Sequence, residues 1–297
     1  MDGEKAMFQN VQVPPPQPQR KPRGGWGWLR VFFVGLLLFI ATTIVLFMTD
    51  NPNLYPTVIL IGNFLVPVTF VAFLYDHQHL STLTPYSVMS CFCVGGTLGV
   101  IGASVLEAWL VPPSHYAYEG ISLSSALLVG LIEEACKIVA VMIVARRMNH
   151  GSEMDGLLLG GAVGMGFAAL ESTGYAFTAL LLSHGRLTAS IVETVLRGLF
   201  APFGHGVWTA ILGAVLFRAS EPRHFRITIL VFLVYLFVSV LHGFWDGLPN
   251  TVYFIIPPGI PIPVVTAVLS LIGIVTLIVV YRSAVRRQLQ QGPIVGS

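Results

Sequence analysis

The chain has 297 residues, of which 55% are hydrophobic and 10% charged, with a net charge of +2. Soluble domains carry about 25% charged residues, so a water-soluble globular fold is excluded. No face is basic enough to track a phosphate backbone, which excludes a nucleic-acid partner.

Residues 1–28 are polar, Pro-rich and basic, too poor in apolar side chains to build a core, and read as a disordered cytoplasmic tail. The first apolar run, Leu29 to Met48, is longer than the h-region of a signal peptide and is followed by no small-x-small cleavage site. It is therefore read as the first membrane span. A hydrocarbon core about 30 Å thick needs about 20 apolar residues per helix. Runs of this kind recur at 29–48, 54–75, 88–110, 121–144, 156–182, 191–217, 225–246 and 262–281. The expected fold is all-α: a polytopic membrane protein of about eight transmembrane helices occupying 29–284, with a cytoplasmic tail at 285–297. Pro202 lies inside the sixth run and is expected to break or kink it. Thirteen of the 16 Lys and Arg residues fall on one side of this topology, which puts both termini in the cytoplasm. Glycines in the third run (Gly95, Gly96, Gly99, Gly102) and the fifth (Gly156, Gly160, Gly161, Gly164, Gly166) predict close helix approach. Cys91, Cys93 and Cys136 form no CxxC pair and predict neither a structural disulfide nor a thiolate site.

The polar residues inside these runs are the anomaly. The fourth carries Glu133, Glu134 and Lys137, the fifth Glu171, the sixth Arg197 and His205, and the seventh His242 and Asp246. A charged side chain at a helix centre costs about 2.5–3.5 kcal/mol of insertion free energy. Two adjacent glutamates consume much of what the apolar residues of that span contribute, at about 0.3–0.6 kcal/mol each. Glu133 with Lys137, and His242 with Asp246, are each four residues apart and share a helix face. In this topology Glu133, Glu171 and His205 lie near the midplane, while His242 and Asp246 lie nearer the external surface. A cluster so arranged occupies a cavity that opens outward. Arg197 reads as an interfacial anchor or a partner of Glu193, and Glu107 as interfacial. The remaining histidines fall in loops and carry no assigned role.

Two chemistries use such a set. A glutamate beside a histidine takes a proton from water and passes it to a leaving amine. Imidazole with carboxylate also holds a divalent cation whose water becomes the nucleophile. A proton-coupled transporter uses buried glutamates and histidines equally naturally, and is the alternative.

Four segments resemble, in order, the motifs of the PrsW family of membrane proteases. Glu133-Glu134-Ala135-Cys136-Lys137 resembles EExxK, and Phe167-Ala168-Ala169-Leu170-Glu171 resembles FxxxE. The stretch Arg197 to Thr209 resembles the third motif, centred on His205, and His242-Gly243-Phe244-Trp245-Asp246 resembles HxxxD. The resemblance, carried by residues 121–247, implies an intramembrane endopeptidase distantly similar to the CAAX prenyl endopeptidase and Abi superfamily. It implies a bacterial plasma-membrane enzyme that hydrolyses membrane-anchored protein substrates by site-1 cleavage of the anti-sigma-factor type. Its expected site residues are Glu133, Glu134, Lys137, Glu171, His205, His242 and Asp246. Either glutamate of the pair is the general base, Lys137 orients them, and Glu171 with His205 completes water activation or metal binding. His242 and Asp246 stabilise the oxyanion or supply ligands. The cofactor stays open, a divalent metal such as zinc being the candidate. Neither HExxH, GxGD nor GxSxG occurs, which leaves other protease chemistries without a motif.

Overall fold

The computed structural model describes residues 25–77, 81, 83–112, 121–148, 150, 152–248, 252–256 and 260–290. Helix α1 is Gly27–Thr49 and α2 is Tyr55–Asp76. Helix α3 (Pro85–Ser90) runs through a π-turn at Cys91–Gly95 into α4 (Gly96–Leu110). Then come α5 (Leu123–Ala145), α6 (Glu153–Leu182), α7 (Leu187–Phe200), α8 (His205–Ala219) and α9 (Ile229–Gly247). A hairpin of β1 (Tyr253–Ile256) and β2 (Ile260–Pro263) leads into α10 (Val264–Gln290).

The helix starts are written locally. Thr84, Ser122, Ser152 and Thr228 each accept a hydrogen bond from the backbone N–H three residues on, capping α3, α5, α6 and α9. The hairpin interrupts an otherwise helical chain where Ile and Pro alternate. Proline cannot continue a helix, and the aromatic and β-branched residues favour strands, whose register pairs Tyr253 with Pro263 and Ile256 with Ile260.

Among the described residues six helices are long and apolar enough to cross a membrane: Gly27–Thr49, Pro52–Asp76, Pro85–Leu110, Glu153–Leu182, Ile229–Gly247 and Val264–Gln290. The protein is an all-α polytopic membrane protein. Two of the eight expected runs do not stand by length and composition. Helix α5 has the length, 23 residues, but holds Glu133, Glu134 and Lys137 at its middle. The sixth run is not one helix. It breaks at a 3-10 turn, Ala201–Phe203, that contains Pro202, leaving α7 with 14 residues and α8 with 15. Residues 1–24 of the expected N-terminal tail lie outside the described residues. At the other end α10 continues to Gln290, where Arg287 reaches Glu153 at 3.3 Å.

Helix α6 is the axis of the fold. Its glycines face α8 and the π-turn at backbone distance. A Cβ on Gly160 would lie 2.3 Å from the Thr209 carbonyl oxygen, and one on Gly164 would lie 2.2 Å from that of His205. One on Gly166 would lie 2.0 Å from the Phe92 carbonyl oxygen. Helices α5 and α9 meet the same way, since a Cβ on Gly130 would lie 2.4 Å from the Ser239 carbonyl oxygen. These two contacts set the site. The first brings the start of α8 against α6, and the second brings His242 against the glutamates of α5.

Candidate functional site

All seven residues expected from sequence converge. Glu133, Glu134 and Lys137 come from α5, Glu171 from α6, His205 from the first turn of α8, and His242 and Asp246 from the end of α9. The break after Pro202 lets His205 open a helix in the interior instead of riding in the middle of a continuous span.

Lys137 is at the centre and is fully buried. Its Nζ donates to Glu133 Oε2 at 2.9 Å and to Glu134 Oε1 at 2.9 Å, and it sits 2.8 Å from His205 Nδ1. An ammonium only donates, so His205 Nδ1 presents its lone pair and the ring proton is on Nε2. That proton points at Glu171 Oε2, 3.1 Å away. The ammonium also lies over the Phe167 ring, 4.0 Å from its centroid.

His242 is oriented by the same logic. Its Nδ1 donates to Glu134 Oε1 at 3.1 Å, which leaves Nε2 facing Asp246 Oδ2 at 3.3 Å and Glu133 Oε2 at 3.6 Å. The two glutamates therefore differ. Glu134 is fully buried; Oε1 accepts from Lys137 and His242, and Oε2 from the Thr209 hydroxyl at 3.3 Å. Glu133 lines a cavity of about 730 Å³, and its Oε1 has no hydrogen-bond partner among the described residues.

The cavity is walled by α4, α5 and α6 and also exposes Glu171, Asp246, Glu107 and Tyr175. Its lining extends to Val111, Pro112 and Ile121, at the end of the bundle where α4 finishes and α5 begins.

Two sequence readings are corrected. Arg197 pairs with Glu171 and not with Glu193: its Nη2 donates to Glu171 Oε2 at 2.7 Å and its Nε to Ser172 Oγ at 3.1 Å. The fold brings Glu171 of α6, rather than a residue of the same helix, within reach of the guanidinium. Glu107 is not simply interfacial but lines the cavity, with Oε1 buried and unpartnered among the described residues. His150, given no role from its loop position, is fully buried against the Phe225 ring and bonded to the Ala145 carbonyl.

A metal fits the donor set. One ligand atom each from Glu133, His205 and His242 lies within 4.8 Å of the others, and all three residues are buried. Two imidazoles and a carboxylate match a known zinc-peptidase ligand set. Each imidazole has a carboxylate on its outer nitrogen, Glu171 for His205 and Glu134 for His242, as metal-ligating histidines characteristically do.

The fold and site together define a polytopic membrane protein with a buried carboxylate–imidazole centre. Residues 84–280 match the family model of the PrsW family intramembrane metalloprotease, and the chain belongs to that family. It is a membrane-embedded peptidase, and of the two functions the sequence allows, the transporter is set aside. No curated protein and no solved structure matches the chain.

Proposed function

We propose that the protein hydrolyses a peptide bond of membrane-anchored proteins at the α4–α5 end of the bundle, with Glu133 as the general base. The observation that carries this is the asymmetry of the glutamate pair. Both oxygens of Glu134 are engaged by Lys137, His242 and Thr209, whereas Glu133 faces the cavity with Oε1 free of partners among the described residues. Glu133 Oε1 takes the proton of the attacking water, and its Oε2 stays anchored by Lys137. Glu134 orients His242 and shares the Lys137 charge. His242, backed by Asp246, stabilises the oxyanion, and Glu133 passes the proton it took from water to the leaving amine. His205, held by Glu171, keeps its Nδ1 lone pair turned to the centre. If Glu133, His205 and His242 held a divalent ion such as zinc, the ion would take the place of His242 in polarising the scissile carbonyl and would acidify the water.

The eight apolar runs, counting α5 and the split α7–α8 as one crossing each, form eight crossings with both termini cytoplasmic. The one-sided distribution of Lys and Arg supports this orientation. The cavity then opens on the external face, which suits site-1 cleavage of membrane-anchored substrates such as anti-sigma factors in a bacterial plasma membrane.

The test is cleavage of a single-span protein with a fluorescent external segment, co-reconstituted with the full chain in liposomes. Glu133→Gln is expected to lower the rate about 100- to 10,000-fold while the protein stays folded. Cleavage by Glu133→Gln at the native rate, or cleavage confined to the cytoplasmic segment, would refute the reading.

A further inference from the structure

Arg197 belongs to none of the seven residues assigned above, yet it binds one of them and two of that residue's neighbours on α6. Its Nη2 donates to Glu171 Oε2 at 2.7 Å, its Nε to Ser172 Oγ at 3.1 Å, and its guanidinium carbon lies 4.0 Å from the Tyr175 ring centroid. All three partners are on α6, whereas Arg197 is on α7, before the break that precedes His205. The oxygen that Arg197 holds is the one that His205 Nε2 faces at 3.1 Å.

We infer that Arg197 is a positioning residue for the peptidase reaction, acting through Glu171 to lock the ring orientation and tautomer of His205. The inference rests on the roles proposed above for Glu171 and His205. A single oxygen shared by two donors has little freedom to turn. With Glu171 Oε2 fixed by the guanidinium, His205 gives its Nε2 proton outward and keeps its Nδ1 lone pair inward, facing Lys137 and Glu133. Glu171 lies on the cavity wall with a side chain 19% exposed, so without Arg197 it is free to rotate toward water. Arg197 itself does not line the cavity and makes no hydrogen bond to Glu133 or His242; of the seven site residues, the one it bonds is Glu171. The guanidinium fork suits the task, since it engages Glu171 and Ser172 together; a lysine at this position supplies the charge but only a point donor.

The experiment uses the purified full chain in nanodiscs with 15N-labelled histidine, the His205 signal being assigned by its loss in His205→Gln. The wild type is expected to show His205 with a bare Nδ1 and a protonated Nε2. Arg197→Met is expected to shift that signal toward a tautomer mixture. It should also lower kcat on the fluorescent single-span probe about 10- to 100-fold with KM nearly unchanged. Arg197→Lys should restore part of both. A folded Arg197→Met that keeps the wild-type His205 signature, or that changes KM and not kcat, overturns the inference. If Arg197→Met does not fold, Ser172→Ala, which removes a single hydrogen bond, should show the same signal change at a smaller scale, and no change there overturns it equally. The nitrogen signal is read without cleavage, so failure of the wild type to cut the probe counts against the proposed function and leaves this inference to be decided by the spectrum.

Discussion

Helices α1 and α6 both have the length to cross a membrane, and they are opposites. Of the six such helices α1 is the most apolar, and only 6% of its apolar window is buried inside the protein. Helix α6 is the least apolar, and 83% of its window is buried. In a soluble protein burial and apolarity rise together; here they run against each other. Lipid is the solvent, so the helix facing it must be apolar all round, while the helix in the interior is released from that demand. Helix α6 uses the release for glycines that admit neighbouring backbones and for Glu171. The interior is thus limited by shape and charge balance, and the periphery only by polarity.

That difference is most exposed at Lys137. The lysine donates to both buried glutamates of α5. Replacing it with methionine keeps the length and the apolar stem but strands both carboxylates. Removing one partner of a buried ion pair costs about 3–5 kcal/mol, and Lys137→Met is expected to fall in that range when unfolding is followed by helical circular dichroism. Adding Glu134→Gln removes one stranded charge and should recover part of the loss, a coupling that a double-mutant cycle measures. An additive result would mean that the interior is not charge-balanced as described.

Shape comes next in size. Gly164→Ala places a methyl 2.2 Å from the His205 carbonyl oxygen, a backbone atom that cannot swing aside. Overpacking of this kind costs about 1–3 kcal/mol, and because the displaced residue is His205, the cleavage rate should fall with it. Gly174, on the same helix, is the internal control: a Cβ there meets nothing within 4 Å. Gly174→Ala should leave both stability and rate unchanged or slightly improved. Equal effects at the two positions would break the claim that α6 is limited by shape.

How far the site was legible in the sequence follows from the same contrast. Glu133, Glu134, Lys137, Glu171, His205, His242 and Asp246 stood out because each is expensive in an apolar run, and the structure brings them together. The Pro202 break was legible because proline removes a donor and strains the preceding turn. What stayed hidden depends on tertiary distance. Arg197 has Glu193 one turn away on its own helix, and nothing local signals that α6 offers Glu171 instead. Glu107, near the end of its helix, looks interfacial until α5 and α6 close a cavity over it. The π-turn at Cys91–Gly95 answers a crossing against Gly166 and has no local cue. The differing environments of Glu133 and Glu134 are likewise invisible in two adjacent identical letters.

The smallest expected effect is the one that tests the peripheral half of the comparison. Leu37, within the apolar helix α1, is 67% exposed. In water, truncating an exposed leucine is nearly silent; in lipid it should also be silent for packing, because acyl chains fill the space a cavity would otherwise leave. Leu37→Ala is therefore expected to change unfolding stability by no more than about 0.5 kcal/mol and to leave cleavage at the native rate. Leu37→Arg changes the one property the periphery does regulate. A charge at that depth costs about 2.5–3.5 kcal/mol of insertion, so this variant should lower the yield of membrane-integrated protein in a glycosylation-mapping assay without altering the site in the molecules that do insert. A loss of activity in Leu37→Ala would mean that α1 contributes shape to the core after all, and the division between the two helices would have to be redrawn.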